Sequence, residues 1–332
     1  MRSPIKDDLK RILTGISIPQ EYVCVPSNDL MFPMRVYLTS VRLTEGLEVT
    51  KTHLFLGYKP LVIALNHEQG RVGSYENEIC LHFGIEPFEA NTRWQDYSAD
   101  SRSVARLVCR KTAIKHLDKN VLYLFEGVHG GHALIRPFHQ WINRQIEKTR
   151  VRREGNIDLP GNLYDQVRIA YSIPRKISIV TVSNGQLINM FPTDLHGAIG
   201  ETFYCGSLRV GGEVNRLIEE YDKIVISDIN CDWYRQAYAL GKNHMKGLQP
   251  IRDFPVYDDT SEKFGLPLPE GVVKYRELKR IDSIDLGIHR IHFYSTVSIH
   301  SAVPQANTLA HIHQYYLQWR KDHGLQTSYL LR

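Results

Sequence analysis

Cysteine is scarce in this chain: Cys24, Cys80, Cys109, Cys205 and Cys231 are scattered over 332 residues, and none forms a Cys-x-x-Cys pair. That excludes a disulfide-stapled scaffold and predicts reduced thiols in a cytoplasmic protein. Long apolar runs are also missing. No stretch of about 18 apolar residues occurs, so no segment reads as a membrane-spanning helix. The opening residues, MRSPIKDDLKRIL, lack the apolar core of a secretory signal. Charge of one sign is not concentrated either. Lys and Arg number 20 against 16 Asp and Glu in residues 1–150, and 21 against 20 in 151–332. So small and even an excess argues against nucleic acid as the main ligand, whereas a phosphate ester would suit it.

Hydrophobic residues make up 42% of the chain and charged residues 23%, the balance of a globular protein with a sizeable core. The length predicts two domains. The charged, then Gly-, Pro- and Asn-containing stretch 150–162, RVRREGNIDLPGN, places the boundary. Residues 1–155 read as a mixed α/β domain. MRVYLTSV (34–41) and LEVTKTHLFL (47–56) have the alternation and β-branching of strands. Val104, Leu107, Val108 and Ile114 lie roughly at helical spacing, which predicts a helix near 101–117. Glu126, His129, His132 and His139 bring carboxylate and imidazole groups close in sequence. Glycines interrupt them and the spacing matches no metal motif, so no metal is expected. No internal repeat stands out; SNDLMFP (27–33) echoes SNGQLINMFP (183–192) at a few positions only.

Residues 156–332 are more legible. KISIVTV (176–182), FYCGSL (203–208), KIVISDI (223–229), VKYRELKRI (273–281) and RIHFYSTVSI (290–299) read as strands, and Asn184-Gly185 is a tight-turn signal. EVNRLIEEY sets Val214, Leu217, Ile218 and Tyr221 on one helical face. Asp232 is placed to cap a helix over 233–240 that Gly241 ends. A last helix over 308–323 would gather Ile312, Tyr315, Tyr316 and Trp319 and leave His311 and His313 at the surface. Strands with short interposed helices predict an antiparallel barrel over about 164–300.

The order of these elements, with four short motifs, resembles the flavin reductase-like family of FMN-binding split β-barrels. The motifs are NMFPTDLHG (189–197), SLRVGGEVN (207–215), GLPLPEG (265–271) and the turn Gly287-Ile288-His289. The resemblance covers roughly 164–300. It implies a flavin, FMN or FAD, with its ring along Phe191, Pro192, Thr193, Asp194, Leu195 and His196, and its phosphate at Ser207, Arg209, Gly211 and Gly212. The second group suits a dianion: a Gly-Gly helix start bares backbone N–H groups, and Arg209 can donate two charge-assisted bonds. His289 is then the catalytic residue, beside flavin and nicotinamide. The resemblance implies hydride transfer from NAD(P)H to flavin in a homodimer, or a first half that covers the partner's face within one chain. The alternatives are a flavin carrier or sensor without turnover, and a cofactor-free interaction scaffold.

Overall fold

A computed structural model of the chain describes residues 11–27, 33–40, 46–68, 76–85, 103–149, 157–301, 306–325 and 327–331. In chain order the strands begin with β1 (Tyr22–Pro26), β2 (Arg35–Thr39), β3 (Leu47–Glu48), β4 (His53–Tyr58), β5 (Leu61–Glu68), β6 (Glu78–Gly84), β7 (Ala105–Leu117) and β8 (Asn120–His132). They continue with β9 (Arg175–Lys176), β10 (Ser178–Ser183), β11 (Leu187–Thr193), β12 (His196–Ile199), β13 (Phe203–Arg209) and β14 (Lys223–Ile229). Last come β15 (Gln249–Pro250), β16 (Val256–Thr260), β17 (Pro267–Pro269), β18 (Val272–Leu286), β19 (His289–Ser301) and β20 (Leu309–His313). The helices that matter here are α1 (Pro137–Thr149), α2 (Leu163–Ala170), α3 (Glu213–Tyr221), α4 (Tyr234–Leu240) and α5 (Gln314–Asp322).

Two large sheets dominate. The first runs β3-β2-β6-β7-β8-β5-β4 and the second β12-β13-β19-β18-β14-β10-β11-β15, with antiparallel pairing throughout. Connection lengths show that both curl. In the second sheet β12 and β11 are six strand spacings apart, about 29 Å if the sheet were flat. Only Asp194 and Leu195 join them in sequence, a reach of about 11 Å. The sheet must therefore wrap until its ends meet. In the first sheet β3 and β4 occupy the two ends and only residues 49–52 join them, so the same constraint applies. Each sheet is a barrel with a seam.

The two barrels are copies of one topology. Replacing β2 through β8 by β10, β11, β12, β13, β14, β18 and β19 reproduces the six pairings of the first barrel in the second. Register agrees as well. The hairpin β7–β8 has twelve paired positions and so does β18–β19, and each pair maps onto its counterpart at one offset, 286 − 117 = 289 − 120 = 169. Both hairpins carry two bulges, at Val108/Cys109 and Lys111/Ala113 in one and at Glu277/Leu278 and Arg280/Asp282 in the other, again 169 apart. No internal repeat was expected from the sequence, so this is a correction. The echo 27–33 against 183–192 is not the repeat: residues 28–32 lie outside the described residues, and 191–192 correspond in register to 47–48.

The barrels meet face to face through an apolar layer. Ala64, Leu122 and Leu124 of the first lie in one buried cluster with Cys205, Ile291 and Phe293 of the second, and those are their counterparts in register. Equivalent residues meeting across a face is the signature of a two-fold contact. The second barrel is filled by Val180, Phe191, Ile226, Leu278 and Tyr294, and α3 adds Val214, Leu217 and Ile218. A third sheet, β1-β20-β9, lies outside both barrels.

Some sequence expectations fail. The helix near 101–117 is strand β7. Ala105, Leu107 and Cys109 are buried and Arg106 and Arg110 exposed, a period of two, and β6 and β8 take up its backbone hydrogen bonds on both sides. The chain before 155 is accordingly sheet-dominated where described. The helix expected over 308–323 is strand β20 followed by α5, because β1 offers residues 309–313 five ladder positions. His311 and His313 then share a strand face, half-buried and fully buried respectively. Asn230, not Asp232, caps the turn before α4, its side chain accepting from the Asp232 N–H at 3.0 Å. The proposed boundary at 150–162 falls partly outside the described residues.

Candidate functional site

The β18–β19 turn carries a residue of the second barrel onto the first. Gly287 has φ +60°, and a Cβ there would stand 2.2 Å from the Lys59 carbonyl oxygen. Only glycine lets this turn lie against the β4–β5 turn. Ile288 N–H donates to that carbonyl at 3.0 Å. His289 is thereby set edge-on to Tyr58, ring centroids 4.5 Å apart. Its Nδ1 lies 3.2 Å from Ser207 Oγ, and Arg209 is its ladder partner on β13. Only 1% of His289 is exposed, and its Nε2 is buried with no hydrogen-bond partner. Burial first, then the nearby Arg209 charge, pushes its pKa down to about 4, so the ring is neutral at physiological pH.

The segment after β13 is held open. Val210 N–H donates to the Ile288 carbonyl at 2.9 Å, and the Asn215 side-chain amide donates to the Arg209 carbonyl. Gly211 has φ +85°, with no atom within 4 Å of where a Cβ would stand. Gly212 is the extended N-cap of α3. A cavity of about 20 Å³ lies inside the barrel among Val180, Tyr204, Ser207, Ile226, Leu278 and Tyr294. An orphaned imidazole nitrogen, a guanidinium on the neighbouring strand and an open glycine corner before a helix together fit the phosphate-and-ring demands of a nucleotide.

The segment 191–196 runs from the end of β11 into β12. Phe191 is wholly inside the barrel core, and Leu195 packs into the core of the first barrel. His196 Nδ1 lies 2.6 Å from the Tyr204 hydroxyl and its Nε2 3.1 Å from the Lys176 carbonyl. Asp194 Oδ2 accepts from His311 at 2.8 Å and from the Tyr171 hydroxyl at 2.9 Å. Pro192 and Thr193 line a cavity of about 80 Å³ with Ile177, Ala237, Tyr238 and His311. The structure thus brings Ser207, Arg209 and His289 together and gives the polar side chains of 194–196 other partners. Sequence reasoning missed Tyr58, Tyr171, Tyr238 and His311. Nothing in the sequence marked the partner of the Gly57–Pro60 turn some 230 residues later.

Among the described residues, no three His, Cys, Asp or Glu side chains gather as a metal ion requires. Nor, among the described residues, is any helix long and apolar enough to cross a membrane. The fold defined by these strands is a split β-barrel, present twice. No family model matches the sequence, and no curated protein matches it. Among solved structures the chain is similar to an FMN-binding protein from Thermus thermophilus with bound p-hydroxybenzaldehyde, at 16% identity over 46% of this chain and 81% of that one, TM-score 0.36. It is also similar to the NADH:FAD oxidoreductase SgcE6 of Streptomyces globisporus C-1027, at 14% identity over 48% and 94%, TM-score 0.40. A third is flavin reductase PheA2, at 9% identity over 50% and 97%, TM-score 0.37. At these identities and scores the likeness carries nothing about ligand or chemistry.

Proposed function

We propose that the chain binds a flavin nucleotide, FMN or FAD, at the junction of its two barrels and accepts hydride from NAD(P)H there. One observation carries this reading: His289, with its buried and unpartnered Nε2, is held between Ser207 and Tyr58 where the barrels touch. A bound flavin would supply the hydride chemistry; the protein supplies position and electrostatics. Arg209 takes the phosphate as a bidentate partner, and the backbone N–H groups of Gly211 and Gly212 add donors at the start of α3. With the Ser207 O–H donating to Nδ1, the buried Nε2 carries the ring proton and is the donor a ligand at the junction would meet. His289 is neutral, so its role is orientation and hydrogen bonding rather than positive charge. The first barrel takes the place a second protomer would fill in a homodimer.

The test is FMN titration of wild type and Arg209→Ala. Loss of a charge-assisted contact weakens binding about ten- to a hundredfold with folding intact. Equal affinity of the two forms removes Arg209 from the site, and absence of binding by wild type removes the flavin. Binding without turnover is the second reading, favoured by the 1% exposure of His289, which leaves little room for a nicotinamide beside it. Anaerobic mixing with NADH or NADPH separates the two: the enzyme bleaches its flavin band and the carrier does not.

A further inference from the structure

A second constellation lies outside that junction. Four elements distant in sequence converge on Asp194, at the seam of the second barrel. His311 on β20 places Nδ1 2.8 Å from Asp194 Oδ2, and Tyr171 donates to the same oxygen at 2.9 Å. Tyr238 on α4 places its hydroxyl on His311 Nε2. Cys24 on β1 donates its S–H to the Tyr238 oxygen at 3.0 Å. These contacts allow a proton order that runs from thiol to phenol, phenol to imidazole and imidazole to carboxylate. Burial pushes the Asp194 carboxyl up, but the bonds from His311 and Tyr171 outweigh it and hold it below the usual range. The group therefore stays ionised and fixes His311 with its Nε2 lone pair facing Tyr238.

The arrangement is more than internal glue because Asp194, His311 and Tyr238 also line the cavity of about 80 Å³. One water needs about 10–15 Å³ of such space, so this cavity has room for a molecule of a few heavy atoms. Its other walls are Ile177, Pro192 and Ala237, with Thr193 as a further polar group. Such a space suits a small molecule with an apolar body and one polar end.

We propose that Asp194, His311 and Tyr238 form a general acid–base site for a small aldehyde or ketone seated in this cavity, with Tyr238 the catalytic residue. In the forward step a C–H bond beside the carbonyl breaks and its proton goes to the Tyr238 oxygen. The Tyr238 O–H proton passes at the same time to His311 Nε2. The electron pair stays on the ligand as an enolate, and the imidazolium is stabilised by Asp194, a positioning residue. The reverse transfers restore every group, so no oxidant, reductant or cofactor takes part. A carboxylate-oriented imidazole relaying the proton of a neighbouring hydroxyl is the logic of acid–base triads.

The experiment uses the full-length protein with acetone in deuterated buffer and follows loss of the acetone proton signal by NMR. Neither flavin nor nicotinamide is added, so failure here leaves the flavin reading standing. Wild type should exchange acetone faster than buffer or heat-denatured protein. Tyr238→Phe keeps the ring and removes only the hydroxyl, and should lower the protein-dependent rate about a hundredfold or more. His311→Gln should do the same, and Asp194→Asn should slow turnover more than it changes acetone affinity. Melting temperatures near that of wild type confirm that the variants are folded. Exchange no faster than buffer for wild type overturns the proposal, and so does a Tyr238→Phe protein that retains the full rate.

Discussion

His289 illustrates how one residue's burial decides its chemistry. A cationic imidazole there would cost both desolvation and repulsion from Arg209, and a pKa near 4 leaves it neutral at working pH. His289→Gln, which keeps a hydrogen-bond donor, should therefore retain most of the hydride-transfer rate, whereas His289→Ala loses it by roughly tenfold or more. Stopped-flow bleaching of the flavin band measures both, and a Gln variant as slow as Ala would restore a role for charge. The same burial governs acid stability. His53 is depressed to about 3 and His289, His292 and His313 to about 4, burial being the largest cause in each. Their unfolded pKa is about 6.5, so below that pH the unfolded chain takes up protons that the folded one refuses. Stability should be full above about pH 6.5 and fall as pH drops toward 4. Each ring contributes a loss on the order of 3 kcal/mol by pH 4. Denaturant midpoints at pH 7.5 and pH 5 check the sign, and equal midpoints would contradict it.

At the scale of elements, the two hairpin turns that cross the junction matter most. Gly287 sits against Lys59 in one direction, and in the other a Cβ on Gly200 would stand 2.9 Å from the Asn120 side chain. Backbone crowds the first position, a side-chain amide the second. Gly287→Ala adds left-handed strain to a backbone clash and should cost about 2–4 kcal/mol. Gly200→Ala, with φ +62° but a neighbour able to turn aside, should cost less. Thermal melts order the two, and the reverse order would mean that the junction is not held where the β18–β19 turn meets the first barrel. Strand β20 shows a different principle. Its residues 309–313 read as the start of a helix until β1 supplies a ladder, after which His313 caps the helix that follows, its Nδ1 accepting from the Tyr315 N–H at 3.1 Å.

At the scale of the molecule, one chain holds both halves of a two-fold arrangement, but the halves differ chemically. Register places Asn66, Glu68 and Asn120 of the first barrel where the second has Ser207, Arg209 and His289. A guanidinium and a neutral imidazole are thus replaced at the related position by a carboxylate and an amide. One flavin per chain, not two, is the expected stoichiometry in a titration monitored by flavin fluorescence. A value of two would show that the related junction also binds.

Composition and pattern alone determined that this is a globular chain with antiparallel strands after residue 164, an amphipathic helix over 213–221 and a glycine-bearing turn before His289. Those features rest on local rules: alternation, helical spacing and turn chemistry. The duplication could not be read that way. Residues 105–117 and 274–286 occupy equivalent positions and share only the last leucine, because a ladder constrains backbone and burial rather than side-chain identity. The partners of Asp194 and His289 were out of reach for the same reason. Tyr58 is 231 positions from His289 and His311 is 117 from Asp194, and no local propensity acts over such distances. Only the packing of two closed sheets, with a third laid outside them, decided which side chains meet.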